Sequence, residues 1–187
     1  AEKYSVSIEP LNSSESKIRL PQFNIPDSYD ILFEPDAGFV TPERAVLLFV
    51  EQAIKHGADI RTKEKVIEWK ESGAGISVKS DKGTYNCAKL IITAGPWASQ
   101  FIPQLSTKLS VTRQVIAWVN PKQYIPFELG KFPCWLIDDD SKPGMYYGFP
   151  VLPVGQMGGP IGLKVAHHYP GTVTDPNNVN RISSADD

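Results

Sequence analysis

The chain has 187 residues, with 19 Lys and Arg against 21 Asp and Glu, 41% apolar and 21% charged residues. That length buries a core without metal or disulfide staples, and that composition excludes wholesale disorder. A net charge of −2 with no strongly basic half argues against a nucleic-acid footprint, and no apolar stretch approaches a bilayer span.

The first segment, through Pro21, has no apolar core of a signal peptide. Pro10, Pro21, Pro26 and Pro35 forbid a long helix in the first 40 residues, which read as irregular and extended. Tyr29 to Glu34 predicts a strand, closed by the turn Pro35-Asp36-Ala37-Gly38. Thr41 to His56 predicts a helix. Thr41 is an N-cap residue, Pro42 fits the first helical position, and Gly57 fits just past the end. Val46, Phe49, Val50, Ala53 and Ile54 fall on one face of it.

Strand candidates follow at Asp59 to Thr62, Lys65 to Lys70, Gly75 to Lys79, Thr84 to Cys87 and Lys89 to Thr93. Leu90-Ile91-Ile92 is continuously apolar, as expected of a strand covered on both faces. Trp97 to Leu105 reads as a short helix. After Val111 the strands resume in VTRQVIAWV, CWLID, MYYGF and GLKVAHH, and the end reads as a cut through a larger protein. Cys87 and Cys134 form no CxxC or zinc-ligand pattern. They are expected to be free thiols of a reducing, cytoplasmic compartment, and no metal site is expected.

Three stretches carry candidate chemistry. LIITAGPW ends a strand in Ala94-Gly95, where backbone approaches a flat or phosphorylated ligand at a sheet edge. The same letters also serve a plain strand-to-helix turn. In MYYGF, alternation puts Met145, Tyr147 and Phe149 on one face, a pattern common in simple packing. In GLKVAHH, Lys164 and His168 share a face roughly 13 Å apart, opposite His167. A strand lysine is often just a solvated edge charge. There is no GxGxxG, P-loop or GxSxG, and Asp138 to Asp140 reads as a solvated turn.

In order, IPDSYDILFEPDAG, LIITAGPWAS, TRQVIAW, GMYYGFP and GLKVAHH resemble the monomeric sarcosine oxidase and N-methyltryptophan oxidase family. These are FAD-dependent amine oxidases of the D-amino-acid-oxidase superfamily. The resemblance runs from about Tyr4 to Arg181 and implies an internal section of a protein about twice as long. The family's Gly-rich βαβ unit, its flavin-site arginines, its flavin-linking cysteine and a substrate-carboxylate lysine have no match here. The fold implied is α+β. A mixed β-sheet substrate-binding half is built from residues 1–41 and 106–187, and 42–105 form a helix-and-hairpin flap of the FAD-binding domain.

The activity implied is oxidation of a secondary or N-methyl amino acid by O₂, giving imine and H₂O₂. The alternatives are a FAD-dependent dehydrogenase with another electron acceptor and a non-catalytic binding module. The resemblance assigns Lys164 to oxygen activation, His168 to the active site and Tyr147 to the substrate's vicinity. It assigns the Val66 backbone to the adenine side, and Thr93, Ala94, Gly95 and Trp97 to a turn along the cofactor. Partners implied are a small amine and O₂, with neither nucleic acid nor membrane. The 187 residues alone are expected neither to retain FAD nor to be active. VLPVGQMGGPI, between Tyr147 and Lys164, departs from the family by its length.

Overall fold

The computed structural model describes residues 2–141, 143–153 and 160–184. In chain order its elements are β1 (Glu9–Leu11), α1 (Ser13–Arg19), β2 (Ile31–Phe33), α2 (Pro42–Lys55), β3 (Val66–Ser72), β4 (Gly75–Ser80) and β5 (Thr84–Cys87). Then come α3 (Ala98–Phe101), β6 (Ile116–Val119), β7 (Trp135–Asp138), β8 (Met145–Phe149) and β9 (Leu163–His168). Sheets with few helices fit the expected class. Contacts group the chain into two units, Ala1–Phe49 with Val115–Tyr169, and Val50–Gln114 with Pro170–Asp187.

The first unit holds a four-stranded sheet, ordered β6-β9-β8-β7, and a separate two-stranded sheet, β1-β2. The substrate half was expected to be one mixed sheet. The structure has two, with antiparallel ladders, and parallel pairing appears among the described residues as isolated bridges at Glu128–Val151 and Leu129–Phe132. The buried apolar residues flank β7 and β8 in sequence. Phe132 and Val151 are buried, and Phe23 stacks on Phe132 at 5.0 Å between centroids. Gln22 Nε2 donates to the carbonyls of Pro126 (2.7 Å) and Lys131 (3.2 Å), which pins the N-terminal loop to that core.

Two glycines set β9 in place. At Gly162 (φ 138°) a Cβ would stand 2.9 Å from the Val119 carbonyl oxygen, so the chain enters β9 hard against β6. At Gly144 (φ 88°) a Cβ would stand 2.7 Å from the His168 carbonyl oxygen. Only glycine lets these backbones approach so closely in that conformation.

The second unit is a three-stranded antiparallel meander, β3-β4-β5, with a register shift between Val66 and Glu68. Trp69 Nε1 donates to the Phe101 carbonyl at 2.8 Å and ties β3 to α3. Residues 111–113 return to 172–174 through hydrogen bonds of 2.9 Å from Arg113 N to Thr172 O and from Thr174 N to Val111 O.

Three expectations need correction. The first 40 residues contain a helix. Asn12 caps α1, its side chain accepting from Glu15 N while Glu15 accepts from Asn12 N, and this short helix fits in the proline-free stretch between Pro10 and Pro21. Residues 59–62 and 89–93 are not strands. A strand needs a neighbour for its ladder, and none of the described strands pairs with either segment. Ile91, expected to be covered on both faces, is 86% exposed. The helix α2 forms as predicted, yet its apolar stripe is uncovered, with Phe49 73% exposed.

Candidate active site

The register of the four-stranded sheet decides which side chains meet. Directly paired residues of an antiparallel ladder share a face. Trp118 pairs with Lys164, Lys164 with Phe149, Ala166 with Tyr147, and His168 with Met145. Lys164, His168 and Tyr147 therefore stand on one face, together with Trp118 and Phe149.

Side-chain geometry extends that placement. Lys164 Nζ lies 5.1 Å from the Phe149 ring centroid and 5.8 Å from that of Trp118. Phe149 meets Tyr147 edge-on at 5.8 Å, and Tyr147 meets His168 edge-on at 6.3 Å. Phe39, from the loop before α2, meets Phe149 at 5.5 Å. The result is an aromatic floor with an ammonium at one end and an exposed imidazole at the other. Ring faces attract a cation and hold it on one heading, a contact worth about 0.5–2 kcal/mol.

The opposite face is occupied differently. His167 is stacked between Tyr146 (4.5 Å) and Tyr169 (5.6 Å), and its Nε2 lies 3.0 Å from the Pro143 carbonyl oxygen. A carbonyl only accepts, so Nε2 carries the proton. The two adjacent histidines thus have separate surroundings, as strand alternation predicts.

The expected cofactor-side residues lie in the second unit. Val66 opens β3 beside the register shift. Thr93 and Ala94 lie in irregular chain, and Gly95 (φ 53°) begins a tight turn closed by Trp97 N to Ala94 O at 3.0 Å. No atom lies within 4 Å of a Cβ built on Gly95, so its backbone is open to close approach of a flat group. Trp97 is oriented by Nε1 donating to Asn177 Oδ1 at 3.0 Å. This turn suits one edge of a flavin cofactor. The sequence supplies no Gly-rich turn at a helix N-terminus to seat a pyrophosphate.

The same unit carries a polar cluster. Glu64 Oε1 accepts from Ser80 Oγ and from Tyr85 OH (2.6 Å), and Arg61 Nη1 donates to Tyr85 OH at 3.1 Å. Hydrogen bonds from Ser80 and Tyr85 hold the Glu64 carboxyl below its usual range. Donation to Glu64 pushes the Tyr85 phenol up. Among the described residues no group of three or more His, Cys, Asp or Glu could hold a metal ion.

Sequence reasoning missed Trp118 as a partner of Lys164 and Asn177 as the anchor of Trp97. Trp118 is 46 residues from Lys164, and only strand register joins them. Residues 154–159 of the long VLPVGQMGGPI connection lie outside the described residues.

A family model for FAD dependent oxidoreductases, the DAO family, matches residues 1–174. The chain belongs to that family. It is 30% identical over 182 residues to a monomeric sarcosine oxidase of Streptomyces avermitilis, covering 97% of this chain and 46% of the relative. It is 30% identical over 175 residues to an N-methyl-L-tryptophan oxidase of Yersinia pestis, covering 94% and 44%. Among solved structures, it is similar to NikD, described as an unusual amino acid oxidase essential for nikkomycin biosynthesis. The TM-score is 0.68 at 22% identity, over 98% of this chain and 46% of NikD, a likeness of fold. The chain therefore spans under half the length of the relatives it matches. The DAO family is FAD-dependent, and the resemblance to sarcosine and N-methyltryptophan oxidases stands. No helix among the described residues is long and apolar enough to cross a membrane.

Proposed function

We propose that this DAO-family chain forms the substrate-facing part of a flavin-dependent oxidase. Its substrate would be a secondary or N-methyl amino acid, its oxidant O₂, and its products an imine and H₂O₂. One observation carries the proposal: Lys164, Tyr147 and His168 stand on one sheet face, with Lys164 Nζ held over the rings of Trp118 and Phe149.

When bound, FAD supplies the two-electron chemistry at the carbon–nitrogen bond and at O₂. The residues of this chain do the rest. Tyr147 and Phe149 give a small amine an apolar floor that sheds water. Tyr147 OH and the His168 imidazole flank that floor and orient the polar end of the substrate. Lys164 contributes a fixed positive charge where negative charge develops on oxygen. A preorganised charge of this kind is worth several kcal/mol in a site that excludes water. Thr93, Ala94, Gly95 and Trp97, with the Val66 backbone, are the proposed cofactor contacts, and residues 1–41 with 106–187 are the proposed substrate half.

The test separates two half-reactions in the FAD-loaded, full-length enzyme. Lys164→Met is expected to slow flavin reoxidation by O₂ by about 2–3 kcal/mol of barrier. Anaerobic reduction by the amine is expected to change little. Equal rates of reoxidation in wild type and Lys164→Met would overturn the oxidase reading.

A further inference from the structure

His168 is the last residue of β9, and its imidazole is exposed. Among the described residues no hydrogen bond or ion pair reaches that ring, and Tyr147 meets it edge-on at 6.3 Å. A strand end frays, because the ladder beyond it is missing. A side chain proposed to orient a substrate therefore stands where its own strand holds it least.

The hold comes from the other face of the sheet. His167 pairs with Tyr146 across the ladder and stacks on it at 4.5 Å and 16°. It also stacks on Tyr169 at 5.6 Å and 14°. Its Nε2 donates to the Pro143 carbonyl at 3.0 Å, in the turn that leads into β8. Gly144 in that turn is packed against the same spot. A Cβ on it would stand 2.7 Å from the His168 carbonyl oxygen, 2.8 Å from Tyr169 Cβ and 3.0 Å from His167 Nε2. Rings, a hydrogen bond and a glycine thus converge on the last two residues of β9.

We propose that His167 is a positioning residue for His168. Its ring column ties the end of β9 to the turn before β8 and so fixes the heading of the His168 imidazole on the candidate face. The proposal rests on the role proposed above for His168. Alternation keeps His167 itself off that face. Imidazole suits the task because it stacks and donates at once, whereas Phe only stacks and Gln only donates. Simple ring packing needs neither a donor aimed at the turn nor a glycine that admits it. Where geometry decides a rate, a misplacement of about 1 Å costs up to ~100-fold.

Two readouts test this. The first is the nuclear Overhauser contact between the His168 and Tyr147 rings in the isotope-labelled 187-residue chain. His167→Gln should lose it and His167→Phe should keep it. Tyr169→Leu, at an exposed position, should weaken it without threatening the fold. An undiminished contact in His167→Gln or in Tyr169→Leu would overturn the proposal.

The second readout is anaerobic flavin reduction by sub-saturating amine in the FAD-loaded, full-length enzyme. His167→Gln is expected to slow it about tenfold, and His167→Phe to restore most of the rate. Reoxidation by O₂ should stay within about twofold in both. In a His168→Gln background, His167→Gln should cost less than about twofold more, since nothing remains to be positioned. A second full tenfold loss there would mark a general structural role and overturn the proposal. Wild-type reduction in His168→Gln alone would instead overturn the role given to His168, and the ring contact would then judge His167 by itself.

Discussion

Lys164 is held by rings rather than by a carboxylate. Among the described ion pairs none involves Lys164, while Phe149 and Trp118 lie within 6 Å of its ammonium. An aromatic clamp positions a cation without neutralising it, which suits a group proposed to meet developing negative charge. Phe149→Leu is expected to slow flavin reoxidation by up to ~tenfold, less than Lys164→Met, because it removes the orientation and keeps the charge. Stopped-flow reoxidation of the loaded enzyme checks the order. Gly148 is a second residue whose size matters. A Cβ there would stand 2.6 Å from two indole carbons of Trp135 and 2.7 Å from the Lys164 carbonyl oxygen. Gly148→Ala should therefore destabilise the chain by about 1–3 kcal/mol in urea unfolding. Trp135→Phe should cost less than a typical large-to-small change, since its buried Nε1 has no hydrogen-bond partner to lose. The shared face of Lys164 and His168, and that of Met145, Tyr147 and Phe149, were legible in the sequence, because alternation along GLKVAHH and MYYGF is local; that the two faces are one is a matter of register. The clamp was not legible, because the pairing of Trp118 with Lys164 depends on register between distant strands.

The elements differ in how far they depend on partners. α1 is closed by its own capping box, so Asn12→Ala should lower stability by about 1 kcal/mol, seen as loss of helicity and an earlier urea midpoint. β4 and β5 are joined to the segment before β3 by the Glu64–Ser80–Tyr85 hydrogen bonds. Glu64 titrates below its usual range when folded. Its stabilisation is thus present above the unfolded value and lost as pH falls through the folded one. Tyr85 titrates above its usual range when folded. Its stabilisation is present below the unfolded value and lost as pH rises through the folded one. Tyr85→Phe should flatten both the acid and the alkaline limb of a stability-against-pH curve measured by urea unfolding. α2 and the meander strands were readable from capping and turn signals that lie within each element. The Leu90-Ile91-Ile92 strand was misread for the opposite reason. Its apolarity is a property of sequence, but a ladder is a property of neighbours, and none of the described strands pairs with it.

At the scale of the molecule, the two units divide the candidate chemistry, with the Lys164 face in one and the Gly95 turn in the other. The turn offers open backbone to part of a cofactor, and partial contact seldom offsets the cost of immobilising a ligand. Purified alone, the 187 residues should emerge from gel filtration without the visible absorbance of FAD. A retained yellow colour after dialysis would contradict this. The uncovered stripe of α2 has a further consequence for handling the protein. Val46, Phe49 and Ile54 stay in contact with water, and the chain is nearly neutral at its isoelectric point of about 6.0. Neutrality removes the mutual repulsion that keeps such surfaces apart. Light scattering of the purified chain should pass through a maximum near that pH. Phe49→Lys, which adds charge to the stripe without touching a packed side chain, should lower that peak and shift it upward in pH.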